Sequence, residues 1–301
     1  MRFAQLGAND ATTQLVKNRM IQESVILARA EFFSHAGNAD YVRKAPTATG
    51  GTNRALDADY ADNKITPAFE LSALKIFGGK VQVDRAHNRR GTDLPSYRAT
   101  ELLNFAMNAS KNFTDQFFNG AVSSTAFNGL EALVTEKISS GANGLQLLYG
   151  NDNTAKKAQQ EFLQLLDELI ATYGPDVLYA NGWIIGFLSN IARDQVTVTM
   201  NEFGRPVRMY SGVVIENPGF NASGSLILPF DETKGTAAGV CTSIYAVKYG
   251  ERTDLTIATN IGLEVVDHGM VENHWTHSCE FDACPMLLNA KSAARLEGLW
   301  K

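Results

Sequence analysis

A long amphipathic helix constrains this chain more than any other feature. From about Pro95 to Asn119, Leu102, Ala106, Phe113 and Phe117 fall on one stripe, with Leu103 and Ser110 beside it. Asp93 stands ahead as a cap, and Pro95 suits a first helical turn. At helical rise this is a rod of roughly 35 Å. A rod with a single apolar face needs other elements laid along it, so it makes a spine for a flat layer.

The flanking segments read differently. Residues 11–33 have helical spacing, through Val16, Met20 and Leu27 and through Ile21, Val25 and Phe32. From Ser34 to Asn63 the pattern breaks down, and Thr49-Gly50-Gly51-Thr52 is a turn signal. A stretch so long and so poor in core residues is functional, disordered, or ordered by a neighbouring subunit. Residues 65–86 read as a long β-arm in which Val81 and Val83 alternate with Gln82 and Asp84. Gly78-Gly79 suggests a bend or bulge there, so the arm is expected to project as a hairpin.

After the rod comes a compact α/β unit. A helix capped by Asn153 or Thr154 is expected through Tyr173, with Phe162, Leu165, Leu166 and Leu169 inward and Gly174-Pro175 as its stop. A strand (Asp176 to Ala180), an apolar helix (Gly182 to Arg193), and strands near Arg205 to Glu216 and Thr242 to Val247 complete it. After Gly250 the chain is strand-rich through LTIA and GLEVVD, and a short Ala-rich helix is expected over Ala290 to Leu296.

Composition excludes several classes. With 45% apolar and 20% charged residues the chain is globular. A net charge of −5 argues against gripping nucleic acid through a basic surface. No apolar run is long enough to span a bilayer, and the N-terminus lacks the regions of a signal peptide. Three cysteines make no disulfide framework, which points to a reducing cytoplasm.

The chemistry-bearing residues concentrate near the C-terminus: His268, His274, His277, Cys279 and Cys284. One reading is a metal site, and with it a metal-dependent enzyme. Zinc ligands usually come in C-x2-4-C or H-x3-5-H pairs. Here His274 and His277 would face opposite sides of a strand, and only His277 and Cys279 would share a face. Packed or surface strand residues are the simpler reading. There is no G-x-S-x-G elbow and no Gly-rich phosphate loop. The basic run Arg85, His87, Arg89, Arg90 suits either phosphate or a neighbour's carboxylates. Lys44, Lys64, Lys75 and Lys80 read as surface charges.

Five segments in order resemble the major capsid protein of tailed bacteriophages, the Hong Kong 97-type fold shared with encapsulins. ALKIFGGKVQVDRA (73–86) resembles the descending strand of the family's extended loop. NFTDQFFNGAVSSTAFNGLEALV (112–134) resembles the end of its spine helix. DVLYANGWIIGFLSNIARD (176–194) and FGRPVRMYSGVVIEN (203–217) resemble parts of its axial domain. The stretch from Gly262 resembles the strands and final helix that close the peripheral domain.

The resemblance implies an α+β fold divided as an N-terminal arm (1–35), an extended β-hairpin loop (36–86), a peripheral domain with the spine helix (87–140 and 251–301) and an axial domain (141–250). It implies pentamers and hexamers of this chain that close an icosahedral head around double-stranded DNA, touched only non-specifically, in a virion assembled in the host cytoplasm. Scaffolding, portal and decoration proteins are the further partners, with no membrane. It implies no catalytic, cofactor-binding or metal-binding residue and no enzyme activity. Many members begin with a long scaffolding region, whereas here the arm begins at Met1, so a separate scaffolding protein or none is expected. Some members crosslink a lysine of the extended loop to an asparagine on a neighbouring subunit; Lys64 or Lys75 with Asn260 or Asn273 would be the pairs, but no motif selects them. An encapsulin-type shell is the alternative within the fold.

Overall fold

In the computed structural model the first helix breaks once. The structure describes residues 1–7, 10–37, 39–44, 53–60, 68–91, 93–200 and 206–301, with 39–44 and 68–71 described by their backbone alone. Asp10 accepts the Thr13 N–H at 2.9 Å and caps α1, Ala11–Glu23. At Ser24 the backbone turns extended, and its hydroxyl accepts the N–H groups of Ile26 and Leu27 to start α2, Val25–Arg29. The expected single helix over 11–33 is therefore two, and Phe32 lies in a strand, β1, Phe32–Ser34. A serine that caps a new helix competes with continuation of the old one.

The backbones of β2 (Ala39–Lys44) and β3 (Ala68–Ala73) pair antiparallel, Ala39 opposite Ala73 and Lys44 opposite Ala68. The hairpin is this pair. Gly78-Gly79 is not its bend, because β4 (Lys75–Asp84) runs straight through both glycines. Their smallness serves packing: a Cβ on Gly78 would meet the Cys279 carbonyl, and one on Gly79 would come 2.8 Å from the Phe105 ring. After the short α3, Ala86–Arg89, comes the rod itself, α4, Leu94–Asn119. Leu102, Ala106, Phe113 and Phe117 are buried as the stripe requires, joined by Ala109, Ser110, Thr114 and Phe118. Pro95 lies in its first turn, but the Asp93 side chain makes no capping bond.

The rest of the chain builds two sheets. α5 (Leu130–Leu133), β5 (Glu136–Ser139) and β6 (Leu145–Gln146) lead into α6, Asn153–Tyr173. Its cap is Asp152, which accepts the Ala155 N–H, rather than Asn153 or Thr154; Gly174 ends it at φ +53°. Then follow β7 (Val177–Tyr179), α7 (Gly182–Ile191), β8 (Val196–Met200), β9 (Pro206–Tyr210), β10 (Val213–Glu216) and β11 (Cys241–Val247). The chain closes through β12 (Leu255–Thr259), β13 (Glu264–Val271), β14 (His274–Leu287) and β15 (Ala293–Trp300). The expected terminal helix over 290–296 is thus one 3-10 turn, Ala290–Ser292, followed by a strand.

One sheet has the order β1-β12-β14-β13, with β4 also on β14. The other has the order β5-β15-β11-β7-β10-β9-β8, with β6 also on β15. Every residue of β11 is buried, as both faces of the second sheet are covered. Alternation divides its side chains. Val177, Tyr179, Tyr245 and Val247 join the core shared with α1, α4 and β14. Leu178, Ile244, Ala246 and Leu296 join the core beneath α6 and α7. The first core is aromatic: Phe113 lies 5.4 Å from both Phe77 and Phe281 and 5.9 Å from Phe127, ring to ring.

Candidate functional site

Strand β14 carries three of the C-terminal cluster's five residues inward and separates the rest. His277, Cys279 and Cys284 are buried; His277 and Cys279 share a buried strand face with Phe281 and Ala283, and Cys284 lies on the other face. Burial pushes the Cys279 thiol up to about 12, which disfavours the thiolate a zinc ion needs. His274 stands opposite Asp84 of β4. His268, on β13, bonds the Ser278 hydroxyl at 2.7 Å through Nε2. Among the described residues, no group of three or more His, Cys, Asp or Glu side chains is placed to hold a metal ion.

His277 joins a different constellation. Arg98, near the start of α4, donates to Asp267 at 2.8 Å and lies 3.2 Å from His277 Nε2. Its guanidinium sits over the Trp275 ring, 4.4 Å from the centroid. Asp267 is 3.5 Å from His277. Burial lowers the imidazole pKa, Asp267 opposes that, and Arg98 reinforces it. Burial would raise the Asp267 carboxyl, but the Gly269 N–H and Arg98 hold it below the usual range. This group fastens the long helix to the β13–β14 hairpin. Sequence reading missed Arg98, Asp267 and Trp275. The signal was present for Arg98, which stands one helical turn before Leu102 on the same stripe.

Outside the sheets, the side chains of residues 53–60 find little cover. Leu56 is 91% exposed and Tyr60 70%. Arg54 lies over the Tyr60 ring at 5.1 Å. Thr49 to Thr52 and Lys64 fall outside the described residues, and Lys44 is described only as backbone in β2. Lys75 donates to the carbonyls of Ser123 and Ser124 at 2.9 and 3.1 Å. Lys80 is exposed on β4. Arg85, Arg89 and Arg90 are exposed around α3, while His87 packs on Tyr97 with ring centroids 4.7 Å apart. No helix among the described residues is long and apolar enough to cross a membrane.

Two packed sheets, a hairpin lying outside them and a long helix beneath one of them define the class: this is the Hong Kong 97-type shell fold. The particular likenesses span nearly the whole chain. The capsid of a native GTA particle is 13% identical with a TM-score of 0.59, covering 97% of this chain and 92% of that chain. An encapsulin complex from Synechococcus elongatus is 14% identical with a TM-score of 0.59, covering 91% and 86%. The capsid of Myoviridae phage XM1 is 14% identical with a TM-score of 0.52, covering 91% and 92%. No protein-family model and no curated protein matches the sequence.

Proposed function

We propose that this protein is the major capsid protein of a tailed bacteriophage, assembling with itself into the pentamers and hexamers of an icosahedral head that encloses double-stranded DNA. The observation that carries the reading is likeness over nearly the full length of both chains to capsid subunits, at TM-scores up to 0.59. The exposed Leu56 and Tyr60 fit it, since a segment that buries so little in its own subunit gains most from a neighbour. In this reading residues 1–35 are the N-terminal arm and 36–86 the extended loop. Residues 87–140 and 251–301 form the peripheral domain, and 141–250 the axial domain, whose sheet β15 joins. Scaffolding, portal and decoration proteins would be its partners in the virion, and its role is structural rather than catalytic.

An encapsulin-type shell is the second reading, favoured by the encapsulin match at the same TM-score of 0.59. Negative-stain electron microscopy with size-exclusion chromatography tests both. Closed particles, or rings of five or six subunits, support shell formation, and packed DNA against packed enzyme separates the two readings. A subunit that stays monomeric or dimeric even when co-expressed with the products of its neighbouring genes overturns them.

A further inference from the structure

Four asparagines in this chain stand directly before a glycine: Asn119, Asn128, Asn143 and Asn181. Asparagine is among the chemically labile residues, and a following glycine exposes it most, because no side chain hinders the next backbone nitrogen. The fold restrains three of the four. Gly120 donates its N–H to the Gln116 carbonyl at 2.9 Å, and Asn119 donates its amide to Asp115 and to the Ile227 carbonyl, both at 2.8 Å. Gly129 donates to the Gly120 carbonyl at 2.7 Å, and the Asn128 side chain accepts the Val122 N–H at 3.1 Å. Asn181 is buried; it caps α7 through Oδ1 and donates its Nδ2 to the Leu228 carbonyl at 2.5 Å.

Asn143 differs at each point. It is exposed in the turn between β5 and β6. The Gly144 N–H reaches the Gly141 carbonyl only at 3.4 Å, so that nitrogen is barely held. Among the described residues the Asn143 side chain makes one hydrogen bond, at Oδ1, which accepts the Thr236 N–H at 3.0 Å. Negative charge collects on that oxygen when a nucleophile adds to the amide carbon, and a fixed backbone donor about 3 Å away stabilises it. The glycines are built in. Gly144 sits at φ +73°, and a Cβ there would meet the Gly298 carbonyl oxygen. A Cβ on Gly235 would come 2.6 Å from Asn143 Oδ1, so glycine is what lets this turn bring Thr236 so near.

We propose that Asn143–Gly144 is a self-modification site, where the folded chain converts the asparagine to aspartate and isoaspartate without an enzyme. The Gly144 nitrogen gives its proton to solvent and bonds to Asn143 Cγ, while the Thr236 N–H stabilises the charge on Oδ1. The Cγ–Nδ2 bond then breaks, and ammonia leaves with a proton from solvent, closing a cyclic imide. Water adds to the imide and breaks one of its two ring C–N bonds. Opening at Cγ gives aspartate; opening at the Asn143 backbone carbonyl gives isoaspartate. The sum is asparagine plus water to the acid plus ammonia, with no oxidant. Aspartate keeps an oxygen for Thr236. Isoaspartate adds a backbone atom to a turn whose two ends are fixed on β15, Ser139 opposite Glu297 and Leu145 opposite Leu299. Each subunit thus carries a slow, one-way record of its age. The inference does not rest on the shell reading.

The test is peptide mapping by mass spectrometry of the full chain after ageing in mildly alkaline buffer. The buffer is made with heavy-oxygen water, so each conversion is marked by the oxygen it takes up. A parallel sample is aged in guanidinium chloride, where all four sites lose their tertiary surroundings and each gives its own reference rate. In the folded chain Asn143 should convert at or above its reference. Asn119, Asn128 and Asn181 should each fall about tenfold or more below theirs, a difference of about 1.4 kcal/mol in barrier. Isoaspartate in the aged folded protein, read by enzymatic isoaspartyl methylation, should be lost in Asn143→Gln, whose longer side chain closes a five-membered imide no more. The side chain is exposed, so an unchanged melting temperature is expected for that variant. A folded-state rate at Asn143 below its reference overturns the proposal. So do equal folded-state rates at all four sites, or an isoaspartate signal that survives in Asn143→Gln.

Discussion

Phe113 and Leu56 are both large apolar side chains, and they meet opposite fates. Phe113 is wholly buried, ringed by Phe77, Phe127 and Phe281 from three other parts of the chain. Leu56 is 91% exposed on the segment between β2 and β3. The difference separates two jobs. The layer under β14 is stabilised by its own burial, of order 25 cal/mol per Å² of apolar surface. The 53–60 segment leaves its apolar side chains, Leu56 and Tyr60, largely uncovered by the described residues.

That contrast can be broken by experiment. The largest effect is expected from deleting residues 40–70: shell assembly should be abolished while circular dichroism and melting report a folded core. Normal shells from the deletion would sink the loop assignment. Phe113→Ala should cost about 3–5 kcal/mol in chemical denaturation, because no neighbour in an aromatic cluster can refill the space. A near-neutral shift would place the stripe outside the core. Gly78→Ala should cost about 1–3 kcal/mol, since the new methyl meets the Cys279 carbonyl across the β4–β14 ladder. A loss of assembly with unchanged stability would instead restore Gly78 as a hinge of the arm.

A smaller effect, of opposite sign, is expected at Lys17. It is wholly buried in α1 and its Nζ has no partner among the described residues. Lys17→Met should stabilise the protein by about 1–3 kcal/mol by removing an unsatisfied polar group. Burial lowers the Lys17 pKa in the folded state. The folded chain therefore carries the whole penalty at pH below that lowered pKa. The penalty lifts as pH rises from there towards 10.5, the ordinary lysine value. The advantage of Lys17→Met over the parent should shrink across that alkaline window; a constant advantage would remove the titration from the account. The smallest stability change is expected for Leu56→Asp, within about 0.5 kcal/mol, alongside impaired assembly. If it unfolds the subunit, Leu56 belongs to the core after all and the contrast fails.

Much of this architecture is legible in the sequence. The stripe on α4 marks its buried face because a helix repeats every 3.6 residues whatever lies across from it. Gly174-Pro175 marks the end of α6 because its stop is a local backbone event. The His274/His277 alternation places those side chains on opposite sides of a strand, and His277 and Cys279 together on one. What each of them touches is not legible, since Arg98 and Asp267 reach His277 from 179 and 10 residues away.

Elements whose signal is local follow from the residues alone: the long helix and its apolar face, the stops, the alternating strands. Packing settles the outcome where local preference and environment disagree. Ala290 to Leu296 is rich in helix formers, yet Ala293–Trp300 is a strand. It lies between β11 on one side and β5 and β6 on the other, where extended backbone satisfies its hydrogen bonds and buries Leu296 and Leu299. Gly78-Gly79 reads as a bend and is a straight stretch of β4, because the two glycines answer to the Cys279 carbonyl and the Phe105 ring rather than to their own torsions. Propensity is worth tenths of a kcal/mol per residue, and a central position in a buried sheet outweighs it.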